Sequence, residues 1–351
     1  MTFLQENHLL TFRNSGEPVN DAVSDYKRLK ADTARLVAAN NSTLGFPEAA
    51  LTDPDQAKEF MQRTRALVFI GTDVEPVGRC FEEAISEHVK VRVYVPSGEG
   101  PFPVVVYFHG GGWVSGDLDM HDRTCRRITN LARCAVVNVD YRLAPEHPFP
   151  APLSDAYAAT LWATEHAHEF SGDPSRLIIA GSSAGGNLAA AVALRARDED
   201  GPRIALQVLI YPVLDSTMDY ESFEQYSDGF LLSRSQMRWY WDQYVPDLAQ
   251  RGNPLVSPMH ATSLSGLPPA YVLTAECDPL RDEGEAYASR LQTEGVDASH
   301  VRYKGQIHAF LNMFGLIADA DLAVAELCRF IVERTSPDGD RDAIYETRES
   351  A

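Results

Sequence analysis

The sequence predicts an α/β fold with a mostly parallel central sheet, helices on both faces of the sheet and a helical cap. From about residue 86 onward, short continuous apolar runs alternate with segments of helical periodicity. Strands that are buried on both faces read as continuous apolar runs, which is typical of parallel sheets. Successive parallel strands need a crossover connection, and helices of this spacing supply it.

Residues 1–70 differ from the rest of the chain, because they are polar and carry no strand pattern. Residues 21–39 have apolar positions near helical spacing, and Asp53-Pro54 opens a second helical pattern. We therefore predict an N-terminal helical cap segment at 1–70, a main domain at 71–335 and a polar, frayed tail at 336–351.

The main domain contains the alternating elements. Strands are predicted at residues 89–95, 103–108, 135–139, 176–180, 204–210, 269–274 and 300–303, and helices at 153–168, 184–197, 282–294 and 316–334. An aromatic-rich segment at about 215–247 interrupts this order. We expect this insertion to join the N-terminal helices in a cap over the carboxyl edge of the sheet. The alternative is a pair of ordinary crossover helices whose aromatic side chains lie in the core.

Composition and charge narrow the class of protein. The net charge of −19 disfavours nucleic acids and anionic membrane surfaces as partners. The five cysteines are scattered, which argues against a disulfide framework and a structural zinc site. The first residues lack the pattern of a signal peptide, and no apolar run approaches the ~18–20 residues that span a bilayer. We expect a cytoplasmic protein with no membrane insertion, metal or cofactor.

The strongest functional signal is Gly181-Ser182-Ser183-Ala184-Gly185, which lies between a predicted strand and a predicted helix. A strand, a tight turn and a helix in this order lift a serine hydroxyl clear of the sheet, and the small residues permit the turn. Ser183 is therefore the predicted nucleophile. The alternative is a glycine-rich helix start without chemistry.

A second glycine-rich loop, His109-Gly110-Gly111-Gly112-Trp113, follows another buried strand. A nucleophilic serine produces a tetrahedral oxyanion, which needs two or three N–H donors. The backbone N–H groups of Gly111, Gly112 and Ala184 are the predicted donors. We interpret His109 as a structural residue of the loop rather than as a base or metal ligand.

Chain order selects the remaining two catalytic residues, because serine, acid and histidine follow one another in this arrangement. His308 comes just after the last predicted strand, whereas His260 precedes the strand at 269–274 and His300 begins a strand. Asp278 ends the preceding strand and is the predicted acid. Its neighbours Asp282 and Glu283 are competitors that we expect to interact with the helix start instead.

Together these stretches resemble the hormone-sensitive lipase family of carboxylesterases, also called family IV, which has the α/β-hydrolase fold. The matching stretches are HGGGW at His109, YRLAPEHPFP at Tyr141, GSSAGGN at Gly181 and DPLRDEG at Asp278. The resemblance implies a Ser183–Asp278–His308 triad, an oxyanion hole and cofactor-free esterase activity on short-acyl esters. Two residues depart from the usual pattern, because Ser182 replaces an aspartate and Ala309 replaces a glycine.

The predicted function is hydrolysis of small esters through an acyl-enzyme on Ser183. We expect a pocket between the sheet edge and the cap, with Trp113, Ser182, Tyr211 and Phe230 in its wall. A specialised aromatic-ester, lactone or amide hydrolase would use the same triad. A non-catalytic receptor is a third alternative. Plant gibberellin receptors resemble this family but lack the catalytic histidine, so the presence of His308 argues against a receptor. Analogy between folds also suggests a homodimer through the last predicted strand, at 300–303.

Overall fold

A computed structural model describes residues 28–44, 50, 52–53, 56–57, 59–60 and 74–335. The strands of this part form one sheet in the order β1-β2-β4-β3-β5-β6-β7-β8. Their bounds are Arg79–Ala84 (β1), Lys90–Val95 (β2), Phe102–Phe108 (β3), Ala135–Asp140 (β4), Gly172–Ser182 (β5), Leu206–Ile210 (β6), Ala270–Cys277 (β7) and Ala298–Ile307 (β8). The helices are Ala31–Leu44 (α1), Asp122–Ala132 (α2), Ala151–Glu165 (α3), Ala184–Asp198 (α4), Glu221–Gln225 (α5), Arg234–Tyr244 (α6), Arg281–Thr293 (α7) and Ala318–Thr335 (α8).

Strand pairing confirms the predicted mostly parallel sheet. Each neighbouring pair from β4 through β3, β5, β6 and β7 to β8 is parallel. Among the described strands, the antiparallel pairs are β1 with β2 and β2 with β4. The connections between the parallel strands contain the helices that the sequence predicts, apart from α2, which it did not predict.

The core lies on both faces of the sheet because successive side chains of a strand point to opposite sides. All seven residues of β3 are buried. Val104 and Val106 pack in one hydrophobic cluster with α3, α4 and α7. Val105 and Tyr107 pack in a second cluster with α2 and α8. Burial on both faces explains why β3 reads as a continuous apolar run.

Strand register brings together the strand ends that carry the predicted site. Phe108, the last residue of β3, lies opposite Gly181 of β5. The loop after β3 therefore starts beside the turn that holds Ser183. At the other side, Cys277 of β7 lies opposite Ile307 of β8. Asp278 and His308 each follow directly, so parallel pairing places them at the same edge of the sheet.

The insertion at 215–247 lies between β6 and β7 and contains α5 and α6. The N-terminal segment is described only in part. The predicted helix at 21–39 lies partly outside the described residues, and within them α1 runs over Ala31–Leu44. Gln56, Ala57, Glu59 and Phe60 are helical in the region of the second predicted helix. The predicted tail at 336–351 lies outside the described residues.

Helix α1 is attached to the end of β8 and the start of α8 by buried polar contacts. Thr33 Oγ1 donates to Gln306 Oε1 at 2.8 Å, and Gln306 Nε2 donates to Asp319 Oδ2 at 2.8 Å. Lys30 forms a salt bridge with the same Asp319 carboxylate at 2.6 Å. These contacts join the N-terminal segment to the strand that leads into His308. No helix within the described ranges has the length and apolar character that crossing a membrane requires.

Candidate active site

Ser183 occupies a strained turn between β5 and α4. Its backbone has φ 56° and ψ −119°, a conformation that a residue with a side chain rarely adopts. The turn requires glycines around it, because a Cβ atom on Gly181 would lie 2.1 Å from Gly185 O and one on Gly185 would lie 1.9 Å from Phe108 O. The Ser183 N–H donates to Ile210 O at 2.9 Å, so the neighbouring strand β6 holds the turn.

The side chains of Ser183, His308 and Asp278 form a continuous hydrogen-bonded chain. His308 Nε2 lies 2.9 Å from Ser183 Oγ, and His308 Nδ1 lies 2.7 Å from Asp278 Oδ2. Asp278 is fully buried and also accepts a hydrogen bond from the Leu280 N–H at 2.9 Å. The ring of Tyr211 packs against the imidazole of His308, with ring centroids 4.8 Å apart. The imidazole is therefore held between a hydroxyl and a buried carboxylate, which is the geometry of a general base.

The loop after β3 is held by hydrogen bonds of its own, and two of its backbone N–H groups have no acceptor among the described residues. Gly111 has φ 123° and Gly112 has φ 61°, in the region that favours glycine. The Gly111 carbonyl accepts hydrogen bonds from Val114 N–H and Ser115 N–H, which fixes the loop. Among the described residues, the N–H groups of Gly111, Gly112 and Ala184 have no hydrogen-bond acceptor. They can therefore donate to a bound oxygen atom.

His109 packs inside this loop rather than at the reacting atoms. Its Nδ1 lies 2.8 Å from Gly110 O, and its ring stacks on Tyr141 at 4.2 Å. Tyr141 Oη in turn donates to His109 O at 2.8 Å. Burial lowers the pKa of His109 to about 4, so the imidazole is neutral near pH 7. These contacts support the interpretation of His109 as a structural residue.

A cavity of about 140 Å³ opens at Ser183 and His308. Gly111, Gly112, Ser182 and Tyr211 contribute to its wall. The described residues that line it are Phe60, Gly110, Gly111, Gly112, Ser115, Met120, His121, Ser182, Ser183, Tyr211, Leu231, Leu232, Gln236, Tyr240, His308, Ala309, Asn312 and Met313. Phe60 belongs to the N-terminal segment and Tyr240 to the insertion, so both segments contribute to one cavity.

Two residues predicted for the pocket lie elsewhere. Trp113 is fully buried and stacks on Tyr244 at 4.3 Å, within an aromatic cluster that also contains Trp241. Its positive φ of 62° turns the side chain of the loop into the core beneath the insertion. Phe230 is buried and packs its ring against Tyr226 at 5.1 Å. The pocket assignments of Trp113 and Phe230 are therefore corrected.

Sequence reasoning missed several residues of the cavity wall. Leu231 and Leu232 line it instead of Phe230, and Gln236 and Tyr240 line it from α6. Tyr240 belongs to the aromatic residues that define the insertion, but nothing in the sequence separates it from Trp239 or Trp241. Gln236 carries no sequence signal at all, since a single glutamine on a helix is most often at the surface.

Comparison with known proteins identifies the family. Residues 105–312 match the model of a family described as having the alpha/beta hydrolase fold, which is more than half of the chain. The chain belongs to this α/β-hydrolase family. The resemblance to the carboxylesterases of the hormone-sensitive lipase type is thereby confirmed, and with it the prediction of an enzyme of the ester-hydrolase class.

Relatives of this α/β hydrolase include named esterases. Carboxylic ester hydrolase LipN of Mycobacterium tuberculosis is 48% identical over 235 residues, which are 65% of this chain and 62% of that protein. Ethyl acetate hydrolase of Pseudomonas putida is 39% identical over 298 residues, which are 82% of this chain and 92% of that protein. The crystal structure of a thermostable esterase from Pseudomonas putida has a TM-score of 0.82 and 35% identity, and the match covers 89% of this chain and 99% of that one.

Ser182, the first departure from the usual family pattern, lies in a small buried polar cluster. Tyr107 Oη donates to Ser182 Oγ at 3.3 Å and lies 3.3 Å from His121 Nδ1. Burial lowers the pKa of His121 to about 3, so this imidazole is uncharged near pH 7. The position next to Ser183 therefore carries one long, neutral hydrogen bond.

Ala309, the second departure in this hydrolase, directly follows His308. Its φ of 63° and ψ of 7° lie in the left-handed region, which costs a residue with a Cβ atom about 1 kcal/mol. This conformation explains why glycine suits the position. The Ala309 side chain also lies in the cavity wall, where a glycine would leave more space.

Proposed function

We propose that this chain hydrolyses carboxylic esters with short acyl groups through a Ser183–His308–Asp278 triad and an acyl-enzyme intermediate. The observation that carries the proposal is the placement of the His308 imidazole, with Nε2 at 2.9 Å from Ser183 Oγ and Nδ1 at 2.7 Å from Asp278 Oδ2. A serine hydroxyl becomes a nucleophile when such a base accepts its proton.

In the first half of the proposed reaction, Ser183 Oγ attacks the ester carbonyl carbon while His308 Nε2 takes the hydroxyl proton. The carbonyl oxygen becomes an oxyanion, and the N–H groups of Gly111, Gly112 and Ala184 donate hydrogen bonds to it. Asp278 accepts the hydrogen bond from Nδ1 and stabilises the imidazolium. The tetrahedral intermediate then collapses, the alcohol leaves with the proton from His308, and the acyl group remains on Ser183.

In the second half, a water molecule replaces the alcohol. His308 Nε2 takes one proton of the water as its oxygen attacks the acyl carbon. The same N–H donors stabilise the second oxyanion. Collapse releases the carboxylic acid, and His308 returns the proton to Ser183 Oγ. The cycle returns the triad to its starting state, because every proton that is taken up is later released.

The size of the cavity supports small substrates. Its volume is about 140 Å³. An apolar protein cavity of roughly 150 Å³ is large enough to bind one benzene molecule. A short acyl group fits such a space, whereas a long chain would have to leave it. Phe60 and Tyr240 both face this cavity, which supports a cap built from the N-terminal segment and the insertion at 215–247.

The substitution of Ser183 by alanine tests the proposal. Hydrolysis of p-nitrophenyl acetate should fall to background in Ser183→Ala, while Ser175→Ala, at an exposed serine that only bonds Asp173, should keep full activity. A panel of p-nitrophenyl esters of increasing acyl length should show the highest kcat/KM for short chains. Survival of most activity in Ser183→Ala would contradict the proposed nucleophile.

The same panel separates the alternatives. A specialised aromatic-ester, lactone or amide hydrolase would prefer those substrates over simple alkyl esters, with the same dependence on Ser183. A receptor would neither turn over esters nor react with an active-site phosphonate. The hydrogen bond between His308 and Ser183 favours an enzyme, and we expect covalent labelling of Ser183 by the phosphonate.

A further inference from the structure

Gln236, on helix α6 of the insertion, has a buried side-chain amide whose oxygen is unsatisfied among the described residues. Its side chain is 5% exposed and belongs to the cavity wall. Gln236 Nε2 donates to Tyr240 Oη, one helical turn further on, at 2.8 Å. Gln236 Oε1 is buried and has no hydrogen-bond partner among the described residues. The proposed reaction uses neither of these two side chains.

A buried amide without its full set of hydrogen bonds is unfavourable, and nearly all such groups in folded proteins have partners. The surroundings of Gln236 in the cavity offer little help, because Leu231, Leu232, Phe60 and Met313 provide apolar wall. A leucine or methionine at this position would pack without that cost. A polar group on a molecule that enters the cavity would remove that cost.

The other polar groups of the cavity already have roles or partners. Ser183 and His308 bond each other, and the loop N–H groups face the reacting oxygen. Ser182 and His121 contact Tyr107. Tyr211 Oη also lacks a hydrogen-bond partner among the described residues, but its ring packs against His308. Gln236 and Tyr240 are the polar residues that the insertion contributes to the cavity wall among the described residues.

The position of Gln236 is fixed relative to the reacting carbonyl. The ring of Tyr240 packs on the oxyanion loop, since a Cβ atom on Gly112 would lie 2.3 Å from Tyr240 Cδ1. The hydrogen bond from Gln236 to Tyr240 Oη holds the amide at the far end of that ring. A substrate whose carbonyl oxygen binds at Gly112 therefore extends along Tyr240 toward Gln236.

We propose that Gln236 and Tyr240 Oη form a subsite for a hydroxyl group of the ester substrate, at a distance from the carbonyl that reacts. A hydroxyl both donates and accepts, so it satisfies the amide oxygen and the tyrosine hydroxyl together. The substrates would be short esters that carry a free hydroxyl, either in the alcohol part, as in a monoester of a diol, or in the acyl part, as in a hydroxy acid ester. This inference rests on the proposed esterase function.

Two matched substrate pairs test the subsite and separate the two sources of the hydroxyl. For the alcohol part, the monoacetate of ethylene glycol is compared with propyl acetate. For the acyl part, methyl β-hydroxybutyrate is compared with methyl isovalerate. In each pair a methyl group replaces the hydroxyl at similar volume. We expect kcat/KM to favour the hydroxylated ester by about tenfold in one pair, which corresponds to about 1.4 kcal/mol.

The variant Gln236→Met removes the amide with little change in volume. The ratio of kcat/KM between hydroxylated and deoxy ester should fall to about one in this variant. Tyr240→Phe keeps the ring on Gly112 and should lower the ratio partway. Gln250→Met, at an exposed glutamine that bonds Asp247, is the matched control and should keep the wild-type ratio. Thermal unfolding shows whether each variant is folded.

The outcomes distinguish this subsite from the proposed function. If the wild-type protein hydrolyses both esters of each pair with equal kcat/KM, the hydroxyl subsite is wrong and the esterase function stands. This comparison needs no variant, so it holds even if Gln236→Met does not fold. A preference that persists in folded Gln236→Met also overturns the assignment to Gln236. Failure to hydrolyse all four esters contradicts the proposed function itself.

Discussion

The ring of Tyr240, on the insertion between β6 and β7, packs against the backbone of Gly112 in the loop after β3. A Cβ atom on Gly112 would lie 2.3 Å from Tyr240 Cδ1, a separation that atoms in proteins do not adopt. The N–H donor that we propose for the oxyanion and the helix that covers the cavity are therefore in direct contact. A side chain at position 112 would therefore displace the Tyr240 ring.

Gly112→Ala should consequently impair catalysis strongly. The added methyl group collides with Tyr240, and φ of 61° is unfavourable for alanine. The loop must shift, and its N–H groups move away from the oxyanion. We expect a fall in kcat of about 10²-fold or more, measured with p-nitrophenyl acetate.

Gly295→Ala is the matched control for this glycine. Gly295 also has a positive φ, +83°, but no atom lies within 4 Å of the position that its Cβ would take. The Gly295→Ala substitution should lower the free energy of unfolding by about 1 kcal/mol, because alanine disfavours this backbone conformation, and it should leave kcat unchanged. Equal effects of the two substitutions on kcat would contradict a specific role for the Gly112 loop.

Asp278→Asn should reduce kcat by about 10³- to 10⁴-fold while the fold remains intact. The asparagine amide can donate to His308 Nδ1, which favours the tautomer with a proton on Nε2, and that tautomer cannot accept the Ser183 proton. The neutral amide also no longer stabilises the imidazolium. Asp282→Asn tests the competing acid, because this carboxylate bonds Ser222 N–H and Arg281 instead. Its kcat should stay within about threefold of wild type, and a large loss there would reassign the acid.

Ser182→Ala should affect stability more than activity. Ser182 is buried, and among the described residues its Oγ accepts only the long hydrogen bond from Tyr107 Oη, which still has His121 Nδ1 at 3.3 Å as a neighbour. We expect the free energy of unfolding to fall by about 1 kcal/mol, measured by urea denaturation. The value of kcat should change less than about threefold. A loss comparable to that of Asp278→Asn would show that Ser182 takes part in the reaction.

His109 should make the protein less stable as the pH falls. Burial lowers its pKa from 6.5 to about 4, so between these values the unfolded chain binds a proton that the folded chain does not. The free energy of unfolding is therefore highest above about pH 6.5 and decreases toward pH 4, by about 3 kcal/mol for this group. His121, with a pKa of about 3, acts in the same direction.

The variant His109→Asn isolates this contribution. The asparagine amide can donate to Gly110 O as Nδ1 does, but it does not titrate. Its free energy of unfolding should vary less with pH between about 4 and 6.5 than that of the wild type. His88→Gln, at an exposed histidine, should keep the wild-type dependence. Parallel pH curves for wild type and His109→Asn would argue against the buried, neutral state of His109.

Thr33→Val should loosen the attachment of α1. Valine has nearly the shape of threonine but leaves the buried Gln306 Oε1 without its donor. We expect the free energy of unfolding to fall by about 1–3 kcal/mol. Thr293→Val, at an exposed threonine that bonds only Ser289 O in its own helix, should change it by less than about 0.5 kcal/mol. Equal effects would indicate that the contact between Thr33 and Gln306 contributes nothing.

The elements that the sequence analysis found or missed differ in how they are buried. β3 and β4 were found because they are covered on both faces and read as continuous apolar runs. β1 was missed, since Arg79–Ala84 is exposed along nearly its whole length and carries two adjacent glutamates. Its pairing comes from its neighbour β2 rather than from its own side chains. The pattern of apolar residues predicts a strand only where the side chains of that strand are buried.

The sequence by itself predicted which residues meet at the candidate active site. Ser183, Asp278 and His308 are each adjacent to a strand end, so their order along the chain and the rule of parallel pairing predicted that they would meet. The tertiary structure decided the wall of the cavity. Trp113, which we expected in the pocket, is buried in the core, and Gln236, which carries no sequence signal, lies in the cavity wall. The choice between core and cavity depends on how α6 packs over Gly112, a long-range contact that the local sequence does not encode.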